Sequence, residues 1–149
     1  MNEYVRLIEE FCISQDIQDI ASVLHEGLID FDDIPMRLEY LEASGQCRAL
    51  ADLGEIPEEH EDQLLAFMLE ENFNSTDRGL PVLSLNPATR RAAVSIHLDP
   101  AATLAGGGLA AAVATCVMPC VAWWNEVMDH IENHADLPTD RPDAFGAFV

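Results

Sequence analysis

Apolar residues at helical spacing open the chain. Tyr4, Ile8, Phe11 and Cys12 fall on one face of residues 2 to about 14, with Val5 and Leu7 beside them. Asn2 is placed to cap the first turn, Glu3 lies within it, and Arg6 and Glu10 stand at i,i+4 on the other side. Residues 14–20 are polar and read as a connection. From Leu28 the period falls to two. Leu28 and Ile29 precede a turn-like Asp30-Phe31-Asp32-Asp33. Ile34, Met36, Leu38 and Tyr40 then alternate with Arg37 and Glu39. Ser44-Gly45 makes a hairpin turn, after which Cys47, Ala49, Ala51 and Leu53 alternate with Arg48 and Asp52. Three antiparallel strands fit this stretch.

A second helix starts at Pro57, where Glu58, Glu59, Glu61 and Asp62 suit the positive end of its dipole. Its apolar face is Leu64, Leu65, Met68 and Leu69, with Phe67 beside it, and it stops near Asn72. Val82–Leu85 and Arg90–Leu98 form a hairpin about the turn Asn86-Pro87-Ala88-Thr89. The last helix begins after Asp99-Pro100, is weakened by Gly106-Gly107-Gly108 and is regular from about Leu109. Its stripe is Leu109, Val113, Cys116, Cys120, Trp123, Val127 and Ile131, kinked at Pro119. Trp123-Trp124 reads as one core ring and one edge ring. Leu137–Val149, with Pro138, Pro142 and Gly146, reads as a flexible tail.

The order is α-β-β-β-α-β-β-α. It predicts an α+β domain over residues 1–136, built as a twisted antiparallel sheet with helices packed on it. A parallel dinucleotide-binding sheet is not expected, because strands and helices do not alternate.

Charge changes the picture of partners. The chain carries 27 acids against seven basic residues, all arginine, for a net charge of −20. Such a surface repels nucleic-acid phosphates and anionic membranes, and favours a basic or amphipathic polypeptide. Pro100–Asn125 has no charged residue and is long enough to span a bilayer. Its Ala/Gly first half, Pro119 and acidic downstream flank point instead to a buried helix. The four cysteines form no CxxC pair, and the first ten residues lack an apolar run. Both features point to a reducing cytoplasm.

Catalytic and metal motifs are weak. His130 and His134 stand at i,i+4, but the intervening Glu132 is one place late for a zinc-protease helix. The paired acids lie in turns or at a helix start, where water keeps them ionised. The glycine run lacks both GxGxxG spacing and a phosphate-loop lysine. Asp30, Asp32 and Asp33 lack the glycine and closing glutamate of a calcium loop. No enzyme activity, cofactor or metal is expected.

The second helix ends Met68-Leu69-Glu70-Glu71-Asn72-Phe73. Gly79, Leu83-Ser84-Leu85, Val94-Ser95-Ile96-His97-Leu98 and a late tryptophan (Trp123 or Trp124) follow. In these features residues 1–134 resemble the small dimeric type III secretion chaperones of Gram-negative bacteria, the class that includes the Tir chaperone. That family has a small residue where Glu71 stands, and the glycine run and Pro119 are further departures. The resemblance implies a cytoplasmic homodimer that is not an enzyme. It would bind the amino-terminal segment of a secreted effector and hold it extended, with the secretion ATPase as a further partner. Effector contacts are then expected at Leu28, Phe31, Ile34, Met36, Leu38 and Tyr40. The dimer contact is expected at Leu64, Leu65, Met68, Leu69, Phe73, Val82, Leu83 and Leu85. The alternative is a general cytosolic protein-binding or regulatory domain of the same fold with no secretion role.

Overall fold

Residues 2–75 and 81–133 are described by the computed structural model. The elements run α1 (Asn2–Ser14), α2 (Ile20–Glu26), β1 (Leu28–Phe31), β2 (Ile34–Leu41) and β3 (Gln46–Glu55). A single 3-10 turn, Glu58–His60, leads into α3 (Glu61–Asn74). Then come β4 (Val82–Asn86), β5 (Arg91–Leu98), α4 (Pro100–Ala105), α5 (Gly108–Cys116) and α6 (Met118–Glu132). The fold is α+β, with one five-stranded sheet in the order β1-β2-β3-β5-β4 and every neighbouring pair antiparallel. Asp32 and Asp33 close the β1–β2 hairpin with φ of 48° and 63°. A two-residue turn with both residues left-handed matches the twist of its strands, and aspartate tolerates that conformation better than most residues.

The apolar phase of every strand meets the helices. Ile29, Phe31, Met36, Leu38, Cys47, Ala49, Ala51, Leu83, Ala92, Val94 and Ile96 are buried in one cluster with the helical stripes. The small residues of β3 and β5 leave room for large rings above them. Helix α1 lies over the first hairpin through two ring contacts: Phe11 with Phe31 at 6.3 Å and Tyr4 with Tyr40 at 5.2 Å. It also packs against α2, α4 and α5. Gly108 (φ 90°) sits so close to α1 that an added Cβ would stand 2.5 Å from Glu10 Oε1.

Residues 15–19 form the expected connection, and helix α2 over residues 20–26 follows it in a stretch that the periodicity left unassigned. Two sequence expectations need correction. The stretch from Leu109 is divided: α5 ends at Cys116 and α6 begins at Met118, because Pro119 has no N–H to continue the ladder. The buried stripe runs through Val117 and Trp124 as well, while Cys116 is half-buried. Both tryptophans are core residues, since α6 is covered on two sides, Trp123 stacking on Phe67 of α3 at 5.6 Å. By length and composition Gly108–Glu132 could cross a membrane; here its apolar stripe lines the core.

Candidate functional site

Every second residue of each strand faces away from the helices. The register sets these residues in cross-strand rows. One row takes a residue from each strand in turn: Leu28, Arg37, Leu50, Ser95 and Val82. Beside it on one flank runs Glu39, Arg48 and His97, and on the other Asp52, Ala93 and Ser84. None of these is fully buried. They leave a groove of about 580 Å³ over the uncovered face, whose lining includes Leu28, Pro35, Arg37, Leu50, Ser84 and Ala93.

Three of the seven arginines stand on this face. Arg48 donates to Glu39 Oε2, its Nε at 3.0 Å. Arg91 forks onto Asp52, with Nε 2.9 Å from Oδ1 and Nη2 2.6 Å from Oδ2. Those bonds from Arg91, helped by the Gly54 N–H, hold the Asp52 carboxyl below its usual range. Arg37 is exposed, and among the described residues no carboxylate lies within ion-pair distance of it.

A second surface lies where α3 meets the edge strand β4. The Asn72 amide donates from Nδ2 to the Leu83 carbonyl at 2.7 Å, and Leu83 N–H donates back to Asn72 Oδ1 at 3.0 Å. The side chain thereby pairs with peptide groups that an edge strand otherwise leaves open. Arg90, in the β4–β5 turn, pairs with Glu61 at the start of α3. With α3 fixed in this way, Leu69 and Phe73 stand at i, i+4 on its outer face, one turn beyond half-buried Leu65. Leu69 is 70% exposed and Phe73 78%, and Val82 on β4 is 44% exposed. Few large side chains anywhere on the described surface are so open.

The expected contact residues divide between core and surface. Of the effector set, Phe31, Met36 and Leu38 are buried beneath the helices, so a guest cannot reach them from solvent. Ile34 and Tyr40 are half-buried, and Leu28, 50% exposed, lies in the groove. Period two marks an apolar strand face without telling whether helices cover it. Of the dimer set, Leu64, Met68 and Leu83 are core and Leu65 and Leu85 are half-buried, whereas Leu69, Phe73 and Val82 are exposed. Gly79, His134 and the 137–149 segment lie outside the described residues. The sequence reading missed the polar phase, Arg37, Leu50 and Ala93 above all. Its signal was available: Arg37, Arg48 and Arg91 all fall in it.

The four cysteines are partly or fully buried thiols. Burial pushes the Cys47 thiol up to about 11 and moves Cys12 and Cys116 in the same direction, so these thiols stay protonated at neutral pH. No group of three or more histidine, cysteine or acidic residues suited to a metal occurs among the described residues. No protein-family model, no curated protein and no solved structure matches the chain.

Proposed function

We propose that the chain is a cytoplasmic, dimeric guest-binding protein of the type III secretion chaperone kind. It would hold the amino-terminal segment of an effector extended and soluble. The observation that carries this reading is the outer stripe of α3, Leu69 and Phe73, beside Val82 on a chain of net charge −20. Exposed leucine and phenylalanine side chains in line are costly in water, and a second copy of the same surface removes that cost. The other apolar surface, the groove with Leu28 and Leu50, remains for the guest, and the acids keep the loaded complex in solution. The chemistry is binding alone, with no covalent step.

Light scattering tests the dimer. The purified protein should run at twice the 16.4 kDa chain mass. The double variant Leu69→Asp/Phe73→Asp should run as a folded monomer with unchanged circular dichroism, since both side chains are exposed. A monomeric wild type would end this assignment. Affinity capture from a type III-secreting bacterium tests the rest. A partner held through its first hundred or so residues, and exported by that apparatus, meets the proposal. A partner that is never exported transfers the protein to the alternative, a cytosolic protein-binding domain of the same fold.

A further inference from the structure

We propose that the open sheet face selects guest segments carrying an acidic side chain between apolar ones, and that Arg37 is the residue that reads the acid. The inference rests on the guest-binding reading above and names the kind of segment bound.

The placement of charge is the first argument. Arg37 stands in its row between Leu28 on β1 and Leu50 on β3. Its side chain is exposed, and a long aliphatic stem lets an arginine keep its charge in water beside apolar neighbours. Of the three carboxylates on the adjoining rows, Glu39 is engaged by Arg48 and Asp52 by Arg91, while Asp30, in register with Pro35, is exposed and lies beyond ion-pair distance of Arg37. In a chain with 27 acids and seven arginines, this guanidinium has no carboxylate within ion-pair distance among the described residues. The Arg37 guanidinium therefore stands open to a carboxylate brought from outside, within a strongly negative molecule. Its complement is a carboxylate.

The surroundings select a peptide over a free anion. A lone exposed guanidinium holds a carboxylate weakly in water, and the pair strengthens only when neighbours exclude solvent. Leu28 and Leu50 provide apolar surface on both sides of Arg37, but both are partly open until something covers them. Apolar side chains two positions before and after a guest acid would cover them, because alternate residues of an extended segment face the same way. The four strands that bring Leu28, Arg37, Leu50 and Ser95 to the row make it about 14 Å wide, roughly the length of four extended residues. Nucleic acid and anionic membrane are disfavoured by the charge of the whole chain.

Panning of phage-displayed random dodecapeptides on three full-length proteins tests this: wild type, Arg37→Met and Arg37→Glu. Arg37 is exposed, so both variants should keep the native circular dichroism. Nonspecific attraction to a chain of charge −20 enriches Lys and Arg, so enrichment of Asp or Glu cannot be background. Wild type should enrich an acid flanked by apolar residues. The Met variant should keep the apolar preference and lose the acid. The Glu variant should exchange the acid for Lys or Arg. A resynthesised acidic peptide should bind the Met variant roughly tenfold more weakly, the scale of one charge-assisted hydrogen-bonded pair. The same preference in all three pools overturns the role of Arg37 while leaving guest binding intact. No enrichment on any of the three overturns guest binding and this inference with it. A change in oligomeric state for Arg37→Glu, read by light scattering, would assign the face to a second copy and overturn the guest site there.

Discussion

Asn72 makes two hydrogen bonds to one residue of a neighbouring strand, and a carboxamide is the side chain that offers a donor and an acceptor side by side. Asn72→Ala removes both bonds and leaves the part-buried peptide groups of Leu83 without them, at a cost of about 2 kcal/mol. Asn72→Asp is the sharper variant. It still accepts from the Leu83 N–H but turns an oxygen toward the Leu83 carbonyl, so it should cost at least as much as alanine. Urea unfolding followed by circular dichroism reads both; an Asp variant as stable as wild type would mean that the Leu83 carbonyl is not bonded. In the sequence Asn72 was visible only as part of a pattern, since nothing in a one-dimensional string says that a helix end lies against an edge strand. Leu69 and Phe73 were legible as apolar residues of α3, but Leu64 and Met68 share that description and are buried. Four positions along one helix can look alike in the sequence and still face opposite media.

Among the elements, α2 shows how a short helix escapes notice. Its seven residues make about two turns, too few for a 3.6-residue period to stand out. Its ends were written plainly: Ser22 N–H donates to the Asp19 carboxylate at 3.1 Å, and Gly27 closes the helix with φ 71°. Gly27 also carries the join to the sheet. Its carbonyl accepts from Leu38 N–H at 2.6 Å, and an added Cβ would stand 2.2 Å from the Leu38 carbonyl oxygen. Gly27→Ala therefore meets a left-handed backbone and a rigid strand together, and should lose about 2 kcal/mol or more. The urea midpoint measures this, and an unchanged midpoint would show that α2 and β2 are not held that tightly. The longer elements were readable because their periods persist. The division at Pro119 followed from a missing donor, whereas the burial of both Trp123 and Trp124 depended on α3, an element far away in the chain.

For the whole molecule the governing quantity is a net charge of −20 on 149 residues. Folding concentrates that charge, and among the described arginines Arg48, Arg90 and Arg91 are engaged in ion pairs. Self-repulsion should outweigh these partly exposed pairs, so stability should rise with salt. The urea midpoint, read from the fluorescence of the two buried tryptophans, should increase between about 0.05 and 0.5 M NaCl as the Debye length shrinks. A falling midpoint would show that the ion pairs matter more than the repulsion. The layered α+β architecture could be read from alternation and helical period, because both are local. Which sheet face stays open could not, because that depends on where α1, α5 and α6 come to rest.

The neighbours of α1 impose an order in time. Its rings meet Phe31 and Tyr40, so it gains a partial shelter once the first hairpin exists. Of its helical neighbours, α2 follows at once, but α4 and α5 are encoded at residues 100–116. A ribosome adding about 5–20 residues per second needs roughly 5–20 seconds to span that interval. For that time the first helix waits half-clothed, sheltered by the first hairpin and α2 and open on the side that α4 and α5 come to cover.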